Sequence, residues 1–406
     1  MSKLTKGANI YFRGMNLSGG APRSSFGYLD YLKKEGHRIT VVACEKDKNL
    51  AELYKNSFDR FISAKYVYDY FAEKKFIDLY LLLKKEYEFL KKDRPDLVII
   101  LGYFNSFFYS RFCNSLGIPA VTLIAGGDLS TGTDFLKDCT CDHVICFSEE
   151  NRDVLLKCVD DERITVISNR IQLKTVFDDA ESHYNLTEDD CIDILFTSRV
   201  SGDKYDSIIH FIGLADKVAD EERKINLAIA GDGDCFVKLK EYTESINNPY
   251  LTINLKGHVD NLVPEFEKAH IVVGKGRSVI EPIMMNRIGC VMGDDGKIEV
   301  CTTDNFENLY HYNFSGRNLN CDNPEAVLKN LIDSMISGTF DTEEMKTAAD
   351  LTRKHYSSEH LAEKFNYVLD NLKCEKQRKK RVSVLLLVLK MIRIKVFIKI
   401  KRGMTK

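Results

Sequence analysis

The stretch from Ala269 to Gly296, AHIVVGKGRSVIEPIMMNRIGCVMGDDG, constrains the fold more than any other part of the sequence. His270 to Val273 is a short apolar run of the kind that makes a buried strand. Gly274-Lys275-Gly276 is a turn, Arg277 to Met285 is apolar at helical spacing, and Ile288 to Met292 returns as a second strand. Strand, glycine turn and helix start together build anion sites in α/β proteins. Glycines let the backbone approach the ligand, and the unpaired N–H groups of the helix start point at negative charge. Glu281 stands about one turn into this helix, placed to accept hydrogen bonds from hydroxyls beside a phosphate. The plainer alternative is a surface carboxylate that is merely favourable with the helix dipole.

The same alternation runs through the whole chain. Ala8 to Arg13, Arg38 to Ala43, Asp96 to Leu101, Pro119 to Ile124, His143 to Phe147 and Ile164 to Ile167 read as strands, with helices expected over Phe26 to Lys34, Phe71 to Lys92 and around Phe107 to Leu116. Apolar strands separated by helices imply a parallel sheet covered on both faces. No GxGxxG follows the first strand, so a dinucleotide fingerprint is lacking. The acidic stretch Asp178 to Asp190 is the best linker candidate, after which the pattern restarts at Ile192 to Thr197. The fold class expected is α/β: two Rossmann-like domains, at 1–180 and 181–355, facing each other across a ligand cleft.

A length of 406 residues supports two or three domains, and 44% hydrophobic with 29% charged residues is ordinary for a soluble protein. Twelve cysteines occur without a CxxC pair, mostly in apolar runs, which suits buried reduced thiols better than a disulfide framework or a zinc site. Cys139-x-Cys141 reads as accidental. The net charge of −2 conceals an asymmetry: Lys376 to Lys406 holds twelve Lys/Arg and no acid, leaving 46 basic against 60 acidic side chains elsewhere. An acidic body with a basic tail does not suit nucleic-acid binding, and the tail (376–406) is treated as a separate element. No N-terminal signal peptide is visible.

Thr197-Ser198-Arg199-Val200-Ser201-Gly202-Asp203-Lys204 leaves a strand with Arg199 and is expected to enter a helix just after Lys204. Two cations bracketing a helix start are unfavourable unless an anion sits between them. A diphosphate satisfies both; neutralisation by Asp203 in a solvated loop is the plainer alternative.

These residues resemble the family 4 glycosyltransferases, retaining enzymes of the GT-B fold. LSGGAPRSS with YLKKEGHRITVVA, PDLVIILG, AGGDL, DHVICFSEENRDVLL with RITVISNRI, FTSRVSGDK, NLAIAGDGD, LKGHVDNLVPEFEKAHIVV and GRSVIEPIMMNRIGCVMG carry the resemblance in the family's order. It implies that Arg199 and Lys204 hold the diphosphate of a nucleotide sugar and stabilise the leaving group. It also implies that Glu281 accepts from the ribose hydroxyls and that Gly276, Arg277 and Ser278 cradle a phosphate. Gly257, His258 and Val259 would contact the base, while Gly19 and Gly20 would close over the phosphate from the other domain. Asp128 is an acceptor-side or sugar-contacting candidate, or equally a helix N-cap. No metal or other cofactor is expected, and Asp232-Gly233-Asp234 reads as a polar turn rather than a metal site. A helix over 356–375 is expected to return to the first domain. Two departures stand out: Val273 occupies the position of the family's first signature glutamate, and Ala125-Gly126-Gly127-Asp128 stands where a histidine is usual.

The tail combines a basic cluster, the mostly apolar octet Val382 to Leu389, and interleaved basic and apolar residues. Ile392 to Ile400 alternates like a strand, whereas Val384 to Ile392 could equally be helical. Its uninterrupted apolar run is too short to cross a bilayer but suits an anionic membrane surface; a packed or disordered tail is the alternative. The resulting expectation is a cytoplasmic hexosyltransferase at the inner face of the membrane. Its partners would be a nucleotide sugar, a glycan or lipid-linked acceptor in cell-surface polysaccharide synthesis, and the anionic bilayer. The rivals are a non-catalytic protein of the same fold and, further off, a nucleotide-sugar epimerase or a phosphorylase.

Overall fold

The computed structural model describes residues 4–16, 20–44, 55–64, 72–73, 75–126, 129, 133–137, 139–168, 170–173, 175–186, 190–372 and 382–404. The chain divides into two units, Met1–Arg170 with Ser358–Lys406, and Ile171–Ser357.

The first unit is built on a parallel sheet of β1 (Asn9–Asn16), β2 (Arg38–Cys44), β3 (Arg60–Ser63), β4 (Leu97–Leu101), β5 (Ala120–Ile124), β6 (His143–Cys146) and β7 (Ile164–Val166), in the order β3-β2-β1-β4-β5-β6-β7. Its helices are α1 (Gly20–Lys34), α2 (Phe76–Asp93), α3 (Tyr103–Leu116), α4 (Thr133–Leu136) and α5 (Glu149–Leu155). Every residue of β4 and β5 is buried, because helices cover both faces and leave no position for a polar alternation. Six strands were legible in this half; β3 was not, since its RFIS run lies at the sheet edge with exposed ends and shows no apolar period. Arg13 lies wholly inside, its Nε donating to Glu86 of α2 at 3.1 Å and to Tyr109 of α3 at 2.9 Å, so one buried charge is met by a carboxylate and a phenol.

The second unit holds β8 (Cys191–Thr197), β9 (Lys224–Ala230), β10 (Leu251–Gly257), β11 (Ile271–Gly274), β12 (Ile288–Met292) and β13 (Ile298–Val300), ordered β10-β9-β8-β11-β12-β13, with only β13 antiparallel. Its helices are α6 (Ala180–His183), α7 (Gly202–Val218), α8 (Phe236–Glu244), α9 (Val263–Lys268), α10 (Arg277–Met284), α11 (Phe306–His311), α12 (Pro324–Ile336) and α13 (Thr342–Tyr356). Both sheets share the 3-2-1-4-5 order of Rossmann-like domains.

The acidic stretch expected to be a linker belongs to the second unit instead, and the division falls between Arg170 and Ile171. Ala180 and Tyr184 are buried, and Asp179 takes two hydrogen bonds from the fully buried Arg287, at 2.9 and 3.1 Å. Polarity marked a paired segment here, not a free one.

Two further helices belong to the first unit, α14 (Ser358–Asp370) and α15 (Val384–Met404). Phe365 of α14 meets the Tyr28 ring edge-on at 4.7 Å between centroids, and Tyr31 donates to Asn366 at 2.8 Å. The strand-like alternation of Ile392 to Ile400 does not make a strand: the segment continues as helix. Val384, Leu387, Val388 and Met391 recur at helical spacing and pack into the core beside Leu79 and Leu83 of α2, while the helix satisfies its own backbone groups. The tail is therefore, in part, structure of the first unit.

Candidate functional site

In the second unit the crossover direction reverses between β8 and β11, which pair directly, Val273 opposite Phe196. Open α/β sheets bind ligands outside the carboxyl ends of the strands at such a point. The loops leaving these two strands are Ser198–Ser201 and Lys275–Gly276.

The first loop is fixed by its neighbour. Ser198 N–H donates to Ala230 O at 3.2 Å, Val200 N–H to Asp232 O at 3.1 Å, and Cys235 N–H to Val200 O at 3.0 Å. Backbone approaches so closely that a Cβ on Gly231 would lie 1.7 Å from Ser198 O. Beyond it, α7 begins at Gly202, so Lys204 lies inside the first turn rather than ahead of the helix. Arg199 donates from Nε to Ser201 Oγ at 3.1 Å, and its guanidinium stands 3.7 Å from Asp203. That pair is open to water, 65% and 61% exposed, so the neutralising contact exists but is worth about 0–1 kcal/mol. The Ser201 hydroxyl, with the Arg199 and Lys204 charges, holds the Asp203 carboxyl below its ordinary range.

The second loop turns through Gly276 at φ +57°, a left-handed conformation that favours glycine. Gly276 N–H donates to Phe314 O at 2.6 Å, and its carbonyl accepts from Val279 and Ile280 as α10 starts. Lys275 N–H donates to Ser278 Oγ at 3.1 Å, while Thr197 Oγ1 at the end of β8 donates to Ser278 O at 3.2 Å. The two loops thus share one rigid corner, and the amides of Arg277 and Ser278 are among those that a helix leaves without acceptors of its own. Glu281 is engaged by Arg277, Nε to Oε1 at 2.6 Å, with both side chains mostly shielded.

Sequence reasoning missed Lys275 as a site residue. Its side chain is only 14% exposed and is paired with Asp294. Burial lowers its ammonium below the ordinary value; the nearby Lys204 charge pushes the same way, and Asp294 opposes both. The available signal was a lysine held between two glycines directly after a buried strand. Arg199, Lys204 and Lys275 together set a cationic mouth at the switch point, with Asp203 and Asp294 as counter-charges. Such a mouth can take a doubly charged phosphate group, guanidinium as a fork and ammonium as point charges.

The remaining candidates fall as follows. Gly257 accepts from Gly231 N–H at 2.8 Å, which ties the Gly257–Val259 loop to the Arg199 loop. His258 is exposed, 3.1 Å from Asp260, and Val259 packs beside Leu195 and Phe266. Asp232 accepts from Gly233 N–H at 2.7 Å just ahead of a turn that Phe236 N–H closes onto Gly233 O at 3.2 Å. Gly20 opens α1, whereas Gly19 and Asp128 lie outside the described residues. Val273 is fully buried in β11, so the position of the family's first glutamate faces the core here. Cys139 and Cys141 are both buried free thiols, 3.2 Å apart at sulfur.

Residues 18–174 match the sequence profile of Glycosyltransferase Family 4. Comparison with curated protein sequences gives no match. Among solved structures, HepE from Anabaena in complex with UDP-glucose is similar at 14% identity and a TM-score of 0.66, over 90% of this chain and 100% of HepE. A variant of TarM from S. aureus, in complex with fondaparinux, alpha-GlcNAc-glycerol and UDP, is similar at 15% identity and a TM-score of 0.62, over 90% of this chain and 100% of TarM. The lipopolysaccharide outer core galactosyltransferase WaaB in its apo form is similar at 14% identity and a TM-score of 0.61, over 90% and 100% of the two chains.

Proposed function

We propose that this chain, which has the GT-B fold and matches Glycosyltransferase Family 4 over residues 18–174, transfers a hexose-type sugar, with retention of configuration, from a nucleotide diphosphate sugar to a glycan or lipid-linked acceptor in cell-surface polysaccharide synthesis. The observation that carries this reading is the cationic mouth of Arg199, Lys204 and Lys275 at the switch point of the second unit. When the bond between the sugar's anomeric carbon and the diphosphate oxygen breaks, the electron pair stays on that oxygen. Fixed cations stabilise this developing charge more than the ground state, which is the condition for acceleration. The free amides at the start of α10 add to it. With Oε1 of Glu281 held by Arg277, Oε2 remains to accept from a ribose hydroxyl, and the arginine fixes the carboxylate's direction. Gly257, His258 and Val259 border the same corner and are assigned to the base. Gly19 and Gly20 keep the phosphate role, and Asp128 the acceptor-side or sugar-contacting role, that the resemblance implies.

Charge compensation by these side chains makes no call on a metal ion. UDP-glucose in HepE, and UDP with alpha-GlcNAc-glycerol in TarM, support a donor of this class. WaaB supports an acceptor of the cell-surface type. We assign the basic segment Lys376–Lys406 to the anionic inner face of the membrane, and the enzyme with it to the cytoplasm.

The test is to incubate the protein with nucleotide diphosphate sugars and follow the anomeric configuration of the product by NMR. Retention is expected, and Glu281→Gln should lower turnover at least about tenfold with an unchanged melting temperature. An inverted product contradicts the retaining mechanism, and normal turnover in Glu281→Gln removes that residue's role.

A further inference from the structure

Large aliphatic side chains left in water are unevenly distributed over the first unit. On α2, Ile77 is 76% and Leu81 55% exposed; on α15, Leu385, Leu386 and Leu389 are 54%, 65% and 46% exposed. These two helices pack on each other through Leu79, Leu83, Val384, Leu387 and Met391, so the exposed residues are the outward faces of one helix pair. Ile77 and Leu81 stand four apart, away from the buried Leu79, Leu83 and Leu90 of the same helix. Single exposed aliphatics are normal on soluble proteins; a group of five on two adjoining helices is not.

Cations accompany them. Lys84 and Lys85 are exposed one turn beyond Leu81, followed by Lys91 and Lys92; the exposed acids of the same helix are Asp78, Asp93 and Glu88, the last 3.6 Å from Lys91. On α15, Leu386, Leu389 and Ile394 line a groove of about 510 Å³ with Lys390 and Arg393; the one acid there, Asp134, is paired with Lys137 at 3.0 Å. Among the described residues no helix is long and apolar enough to cross a membrane. Leucines flanked by lysine and arginine on a helix that cannot span match the boundary between acyl chains and anionic headgroups.

We propose that α2 and α15 form one bilayer-docking face. The aliphatics of both helices enter the headgroup boundary, and the lysines and Arg393 meet lipid phosphates. This rests on the reading that Lys376–Lys406 faces an anionic membrane, and goes beyond it. Within the tail, Val384, Leu387, Val388 and Met391 of α15 pack into the first unit beside α2, so the exposed faces of the two helices act together.

The test uses the full chain in co-sedimentation with vesicles of phosphatidylcholine mixed with phosphatidylglycerol, and of phosphatidylcholine alone. Ile77→Ser with Leu81→Ser, which leaves the tail intact, should weaken binding to the anionic vesicles at least about tenfold at unchanged melting temperature. Lys390→Gln with Arg393→Gln should also weaken it, and neutral vesicles should bind poorly. If the α2 variant binds like the parent while the α15 charge variant does not, the shared face is wrong and the tail acts alone. If the parent itself ignores the anionic vesicles, or binds neutral ones equally well, the membrane reading beneath the proposal fails.

Discussion

His270, immediately before β11, shows how one side chain couples stability to pH. Its Nδ1 accepts from the Asp193 amide at 2.9 Å, and its ring stands 4.8 Å from that of His183. Burial, with the adjacent His183, lowers its pKa to about 4; Arg287 pushes the same way, and Asp193 and Asp190 oppose. The unfolded chain titrates near 6.5, so between these values the unfolded state binds the extra proton and stability falls as pH falls. His143 in the first unit, also held at about 4 by burial, contributes in the same direction. His270→Asn keeps an acceptor for Asp193 without the titration. Its loss of melting temperature on going from about pH 7 to about pH 5 should be smaller than the parent's; an equal loss would show that His270 is not the titrating group. Charge near the strand ends was legible residue by residue where it stood in the loop after a strand, as with Arg199, or early in the helix that follows, as with Lys204 of α7 and Glu281 of α10. Lys275 was not, because its importance lies in being buried near Lys204, a relation across two loops that spacing does not encode. Val273 is the converse: read as a departure in the site, it is a core residue of β11.

At the scale of elements, the site depends on two strand ends being fixed against a third loop. Gly231 is the critical contact, since a methyl group there would overlap Ser198 O. Gly231→Ala should displace the Arg199 loop, costing about 1–3 kcal/mol of stability by overpacking. It should also weaken nucleotide diphosphate binding, as read by thermal melting with and without ligand. Parent-like melting and binding would mean that the loop relaxes freely and does not position Arg199. Long, strongly apolar elements such as β4, β5 and β12 were readable, because a covered sheet demands continuous apolar runs. β3 and the start of α7 were not: the first is a short edge strand, and the second opens with Gly202-Asp203, which reads as loop until α7 forms around it. The tail failed differently, its alternation being set by interleaved charges rather than by sheet pairing.

At the scale of the molecule, two units repeat one strand order, and the chain passes from first to second at Arg170 and back at Ser358. The restart of the βα pattern was visible in the sequence; its boundary was hidden because the polar stretch after Asp178 is pinned by Arg287, whose role depends on a partner 108 residues away. The whole account turns on the mouth of the second unit being the seat of a nucleotide diphosphate. The most direct test is calorimetric titration of the full chain with UDP, GDP and ADP, repeated with Arg199→Ala and with Lys204→Ala. The account predicts that one nucleotide binds and that each substitution weakens it by more than about tenfold, the loss of one charge-assisted phosphate contact. Folded protein that binds none of them, or variants that bind as tightly as the parent, would contradict it.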